Sequence, residues 1–155
     1  YLGICLGMQV MVCQLAAAHF VEDPASSEWS PESKLKVIDL LPEQDQKQLG
    51  GTMRLGNYET ILKEGTLAHK VYGNTHITER HRHRYEVNKQ YVEELSPIMT
   101  FSGYHEKTNL CEITELQDHP FMIGCQFHPE YRSRYWEPHP LFVAFIKAVF
   151  KYKNK

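Results

Sequence analysis

No C-x-x-C pair and no other metal-ligand spacing joins the four cysteines of this chain, Cys5, Cys13, Cys111 and Cys125, so no metal centre is written into it. Three of them lie in apolar surroundings where free thiols pack, which reads as a reducing, cytoplasmic compartment. No apolar stretch approaches the roughly 20 residues that span a bilayer. The N-terminus lacks the basic flank of a signal peptide, and a membrane is not an expected partner. Charge of neither sign dominates: 17 basic and 19 acidic residues leave a formal net charge of -2, which gives no global attraction to nucleic acid. No G-x-x-x-x-G-K-S/T loop occurs, so a phosphoryl-transfer step is not assigned to these residues. Repeats and low-complexity tracts are missing too. The first residue is Tyr1, inside an apolar run, and the sequence reads as a fragment that starts within a strand.

What is present suffices for one packed domain: 155 residues, 42% of them apolar and 12% aromatic. Tyr1, Leu2 and Ile4 read as the end of a buried strand. Met8, Val10, Met11, Val12, Leu15 and Ala16 to Ala18 read as a helix ending near Phe20. A polar loop with Pro24 and Pro31 leads to a strand at LKVIDL. A second loop, PEQDQKQLGGTMRLGN, leads to a strand at YETIL (58–62) and a short helix, TLAHKVYG, closed by Gly73. RHRHRYEVN, PIMTFSGYH, NLCEITEL and FMIGCQF alternate or run apolar as strands do and should form a mixed sheet. The C-terminal segment HPLFVAFIKAVFKYK predicts a helix with Pro140 at its first position. Its apolar face holds Leu141, Phe142, Phe145, Ile146, Val149 and Phe150, and Lys151, Lys153 and Lys155 close its basic end. A single α/β domain over residues 1–155 is expected.

Cys5 stands between Gly3 and Gly7 at the junction of strand and helix. Glycines there let the chain bend sharply, as at a nucleophile elbow, so that the thiol projects from the sheet edge. The helix that follows aims its unpaired N–H groups at the sulfur, which predicts a depressed pKa and a place for an oxyanion. Cys13, in mid-helix, lacks any activating feature and reads as core. Late in the chain, His128 and Glu130 follow the apolar run FMIG with Pro129 between them. In an extended segment residues i and i+2 point the same way, so Glu130 can hold one imidazole nitrogen while the other serves Cys5 as base and then acid. Arg80, Arg82 and Arg84 alternate with His81 and His83, which places the guanidinium groups on one strand face suited to anions. The blander reading of that stretch is a solvated basic edge strand.

GICLGMQ (3–9) followed by QFHPE (126–130) resembles the class I, triad-type glutamine amidotransferases. GGTMRLG (50–56), ERHRHRYEVN (79–88) and HPLFVAFIKA (139–148) narrow the likeness to the amidotransferase domains of the CTP synthase family. The resemblance covers essentially the whole chain. It implies a flavodoxin-like α/β fold with a mixed, mainly parallel central sheet whose first strands are missing. It implies Cys5 as the nucleophile that forms a glutamyl thioester from L-glutamine, His128 as base and acid, and Glu130 as its orienter. The Leu6 backbone N–H is implied as one oxyanion donor, the other coming from an upstream glycine-rich loop that these residues do not include. Gln9, Glu28 in ASSEW and Arg84 match positions implied to hold glutamine; relatives show NSTEF where this chain has ASSEW. Leu55 resembles a residue implied in packing against GTP, the allosteric activator. No cofactor is implied for this domain; ATP and magnesium belong to a separate synthase domain, which aminates UTP, and the whole enzyme is implied to be a homotetramer.

Two alternatives stay beside this reading. One is a different class I amidotransferase, serving GMP or anthranilate synthesis, against which the Arg/His strand and the MRLG stretch argue. The other is a catalytically silent fragment acting as a binding or assembly module, since one oxyanion donor and the opening strands are missing; a lost donor costs about 10²- to 10³-fold in rate.

Overall fold

A computed structural model describes residues 1–20, 23–40, 53–116 and 118–154. The strands in chain order are β1 (Leu2–Ile4), β2 (Ala25–Ser26), β3 (Lys36–Leu40), β4 (Arg54–Leu62), β5 (His76–His83), β6 (Tyr85–Val87), β7 (Thr100–His105), β8 (Cys111–Glu115) and β9 (Ile123–Cys125). The helices are α1 (Leu6–Ala17), α2 (Leu67–Tyr72), α3 (Val92–Leu95) and α4 (Pro140–Lys153), with 3-10 turns at Lys89–Tyr91 and Pro129–Tyr131. Six strands form one sheet in the order β1-β9-β8-β7-β4-β5, and three form a second in the order β2-β3-β6.

The α/β class and the mixed sheet are as expected, but the pairing departs from a mainly parallel arrangement. Among the described residues only β1–β9 and β2–β3 are parallel; the other neighbours run antiparallel. Chain connectivity explains the difference. β7 and β8 follow one another through a short connection, which favours antiparallel return, and β4 and β5 return antiparallel across the longer segment that holds α2. The stretch RHRHRYEVN also divides at Arg84, sending β5 to the large sheet and β6 to the small one.

Two apolar cores hold the layers together. One gathers Met8, Val12 and Ala16 of α1 with Val37 and Ile38 of β3, Val87, Leu95 and Phe101. The other gathers Ile113, Ile123 and Phe127 with Leu62, Ala68 of α2 and Leu141 of α4. Each fully buried side chain of this size contributes roughly 1.5–3 kcal/mol. Thr66 caps α2 by accepting from the His69 N–H, and Gly73 ends it at φ 67°, in the left-handed region, as its sequence position implies. α1 stops at Ala17, short of Phe20.

Several expectations are corrected. MRLG does not lie in a loop: Arg54–Gly56 already belong to β4, and Leu55 pairs with Arg82 across the ladder. Residues 42–52 of the expected loop, Gly50 and Gly51 included, lie outside the described residues, as does Lys155. On α4, Leu141, Ala144, Phe145 and Ala148 pack inward while Ile146, Val149 and Phe150 are exposed. The apolar stripe of α4 is wider than the surface it covers.

The topology decides where chemistry can occur. β1 and β9 are parallel neighbours in the register Leu2↔Ile123, Gly3↔Gly124 and Ile4↔Cys125. Their carboxyl ends therefore emerge side by side at one sheet edge, the position where open α/β sheets hold ligands. Gly124 lets α1 lie close over β9, since a Cβ there would meet Met8 side-chain atoms at 2.9 Å.

Candidate active site

Cys5 is one residue past the end of β1 and one residue before α1, with φ 50° and ψ -105°, a conformation that costs a non-glycine residue about 1–3 kcal/mol. Its N–H donates to the Cys125 carbonyl at 2.7 Å, which ties the turn to β9. The sharp bend is thus carried by the cysteine itself. Gly3 and Gly7 have ordinary dihedrals, and Gly3 serves a different purpose: a Cβ on Gly3 would meet the Gly7 carbonyl carbon and oxygen at 2.8 Å. Glycine is required at position 3 because the strand and the first helical turn nearly touch there, whereas a Cβ on Gly7 would meet only the Tyr1 hydroxyl at 3.6 Å.

The electrostatics of the sulfur also differ from the expectation. Burial pushes the Cys5 thiol up from its ordinary value; the Leu6 backbone N–H and the Gln126 amide pull it down, and the Glu130 and Glu28 carboxylates push it further up. The helix N-terminus is outweighed by desolvation, so the free protein carries a protonated thiol whose ionisation needs a base. Cys13 is core, as its setting predicts, with burial pushing its thiol up to about 12. Cys111 and Cys125 are fully enclosed, and desolvation raises both thiols well above the ordinary value.

Cys5, Leu6, Gln9, Glu28 and Arg84 line one cavity of about 200 Å³ together with Met53, Arg82, His83 and Tyr85. Gln9, buried on α1, donates from Nε2 to the Tyr85 carbonyl at 2.8 Å and to Gln126 Oε1 at 3.2 Å. Glu28 sits in the turn after β2, where its N–H bonds the Ser26 hydroxyl at 3.2 Å. Arg80 and Arg82 face outward and His81 and His83 inward, the alternation read from the sequence, on what proves to be the edge strand of the large sheet. Arg84 follows that strand and reaches the cavity. Leu55 stands apart from the cavity lining, 61% exposed.

His128 and Glu130 lie outside the lining, beyond the end of β9. His128 Nδ1 and Glu130 Oε1 are 2.6 Å apart, and the Tyr131 ring stacks on the imidazole at 4.8 Å. The segment is a 3-10 turn opened by Pro129, not an extended strand, so the turn brings the carboxylate round to Nδ1. Nδ1 then carries its proton toward Glu130, which leaves Nε2 to exchange protons. The His128 N–H donates to the Arg80 carbonyl at 2.8 Å, fixing the turn against β5. Among the described residues no hydrogen bond joins imidazole and thiol in this state.

Two features escaped the sequence. Gln126, wholly buried, donates from Nε2 to Cys5 Sγ at 3.7 Å; its one outward signal is a polar residue inside the apolar run FMIGCQF. Behind the cavity, Arg54 bonds Glu86 at 3.1 Å and Glu112 at 2.8 Å, all three buried. One guanidinium serves two carboxylates in a dry setting. Desolvation accordingly pushes Glu86 up to about 7 and Glu112 up to about 8, with Arg54 acting against it. His81 and His83 beside them are pushed down to about 2 and about 3 by burial and by Arg54, and are neutral.

A thiol at a strained turn, flanked by a polar cavity and followed at the next parallel strand by a His-Glu pair, is a constellation that recurs in known proteins. Residues 1–148 match the family model for glutamine amidotransferase class-I. The chain belongs to the class-I glutamine amidotransferases. It is 50% identical over 149 residues to a CTP synthase of Methanothermobacter thermautotrophicus, covering 95% of this chain and 28% of that protein. It is 54% identical over 156 residues to a CTP synthase of Dehalococcoides mccartyi, covering 97% of this chain and 28% of that protein. This amidotransferase chain thus spans about 28% of the length of those curated relatives. Among solved structures it resembles the Trypanosoma brucei CTPS glutaminase domain with bound acivicin, with TM-score 0.90 and 31% identity over 97% of this chain and 60% of that one. No helix among the described residues is long and apolar enough to cross a membrane.

Proposed function

We propose that this chain is the glutaminase domain of a CTP synthase, hydrolysing L-glutamine at Cys5 with His128 and Glu130. The observation that carries the proposal is the convergence at one sheet edge of a strained, half-buried thiol and an imidazole held by a carboxylate at 2.6 Å. Its supports are the family membership and the similarity to CTP synthases.

In this reading His128 Nε2 takes the Cys5 proton as the sulfur attacks the glutamine carboxamide carbon, and the imidazolium that forms is stabilised by Glu130. A C–S bond forms, and the carbonyl oxygen becomes an oxyanion facing the Leu6 N–H at the start of α1. Collapse breaks the C–N bond. His128 returns the proton to the departing nitrogen, and ammonia leaves a glutamyl thioester. Water, deprotonated by the same imidazole, releases glutamate and restores the thiol. Gln9, Glu28 and Arg84 hold the substrate's polar groups, with Arg84 opposite its carboxylate.

The ammonia passes to a synthase domain in which ATP and magnesium activate UTP for amination, in a homotetrameric, cytoplasmic enzyme activated by GTP. Leu55, exposed on β4, packs against GTP in this reading. Residues 1–155 form part of the amidotransferase domain in this reading. The test uses acivicin, the compound named with the trypanosomal glutaminase. Incubation followed by peptide mass mapping should label Cys5 alone and should fail with Cys5→Ser. Equal labelling of Cys13, Cys111 and Cys125, or none, would overturn the assignment in favour of a silent binding module.

A further inference from the structure

The amide of Gln126 can be oriented without ambiguity, because each hydrogen bond behind it runs in a direction set by its neighbour. The Tyr85 carbonyl accepts only, so the Gln9 atom at 2.8 Å from it is nitrogen. That nitrogen also lies 3.2 Å from Gln126, which must therefore present its oxygen to Gln9. The remaining amide group of Gln126, its NH₂, then faces Cys5 Sγ at 3.7 Å. The same carbonyl fixes the histidines. His83 Nδ1, 3.2 Å from the Tyr85 oxygen, carries a hydrogen, which leaves His83 Nε2 to accept from His81 Nδ1 at 2.9 Å. His81 then turns the lone pair of Nε2 toward Glu112 Oε2, 3.4 Å away, the carboxyl that burial keeps protonated. From His81 to the sulfur the hydrogen-bonded groups meet at the Tyr85 carbonyl, which accepts from His83 on one side and from Gln9 on the other.

We propose that Gln126 is a catalytic residue of this site, its amide N–H forming with the Leu6 backbone N–H the donor pair that holds the Cys5 sulfur as an anion when His128 withdraws its proton. The inference rests on the reading of Cys5 as the nucleophile and deepens it. β1 and β9 are in register at Ile4 and Cys125, so the residues next along, Cys5 and Gln126, are neighbours by topology, and the donor is built into the sheet. Gln126 is wholly buried and both ends of its amide are used, so it has no other alignment available. The charged and titratable groups around the sulfur come from the neighbouring elements: Glu28 after β2, Arg82 and His83 on β5, Arg84 beyond it, Tyr85 on β6, Cys125 on β9, and His128 with Glu130 after β9. Two of these are carboxylates that oppose the anion, and Gln126 offsets them at contact distance.

The test is the pH profile of Cys5 alkylation by iodoacetamide in the full 155-residue chain, read by peptide mass mapping, with circular dichroism as the folding control. Gln126→Leu removes the donor and should lower the alkylation rate at neutral pH by about tenfold, moving the profile roughly one unit alkaline. Gln126→Glu is nearly isosteric and puts a carboxylate beside the sulfur; it should move the profile further in the same direction. A Gln126→Leu profile that superimposes on the wild type in a folded protein overturns the proposal. If that variant does not fold, an unshifted Gln126→Glu profile overturns it. Alkylation needs no glutamine, so absent glutaminase activity in the wild type counts against the proposed function. An unshifted profile in an active protein counts against the donor alone.

Discussion

Replacing Glu112 with glutamine should make the protein more stable at neutral and alkaline pH, although it removes one carboxylate from a buried ion pair. The structure supplies the magnitude. Glu112 is held up to about 8 from an ordinary 4.5 because burial outweighs the attraction of Arg54, which Glu86 shares. Because the folded pKa is raised, the folded chain binds more protons than the unfolded chain between those two values. Stability is therefore greatest near the acid end of that window and falls as pH rises toward about 8. Each unit of the window contributes up to about 1.4 kcal/mol, so from the ordinary value to pH 7 the cost approaches a ceiling of about 3 kcal/mol. Glutamine carries no charge to desolvate. Its carbonyl can still accept from Arg54, and its NH₂ suits the His81 Nε2 lone pair. Urea denaturation at intervals from pH 5 to 8 should show wild-type stability declining relative to the variant, with the gap widening as pH rises. Parallel curves would refute the argument. So would a variant weaker by about 3–5 kcal/mol at every pH, the signature of an ionised partner lost from Arg54.

Two further outcomes follow from the site. Cys5→Gly should raise the melting temperature while abolishing glutamine hydrolysis, since glycine adopts φ 50° without strain; a gain of about 1 kcal/mol in thermal unfolding checks it, and a loss would show the turn to be unstrained. Glu130→Gln keeps an acceptor at His128 Nδ1 but removes the charge that stabilises imidazolium. Ammonia release should fall roughly 10²-fold in kcat with KM nearly unchanged, and an undiminished kcat would remove Glu130 from the mechanism.

Local chemistry was the legible part of this protein. The junction at Cys5 announces itself because an apolar run meets a helical period around two glycines, and His128 and Glu130 because they follow a buried run. The reasons were less legible than the residues. Gly3 and Gly7 read as hinges, whereas Gly3 gives room at a crossing and the strain sits on Cys5. The thiol read as acidified by α1, but the fold buries it, and burial is a tertiary quantity that no local pattern carries. Pairing direction is hidden for a similar reason: alternation in β4, β5, β7 and β8 shows that strands exist and carries nothing about which way they return. Ile146, Val149 and Phe150 fit the period of α4 perfectly well and still face outward. Arg54, Glu86 and Glu112 are scattered over three strands, and nothing in their spacing brings them together.

In the proposed reaction the sulfur of Cys5 forms a transient covalent bond to the glutamyl group of glutamine. The direct measurement is to mix the protein with L-glutamine, quench with acid within the first turnovers, and map the peptides by mass. A glutamyl thioester is expected on the peptide containing Cys5, lost on treatment with hydroxylamine. Ammonia released at an undiminished rate by Cys5→Ser, with no acylated peptide from the wild type, would contradict it.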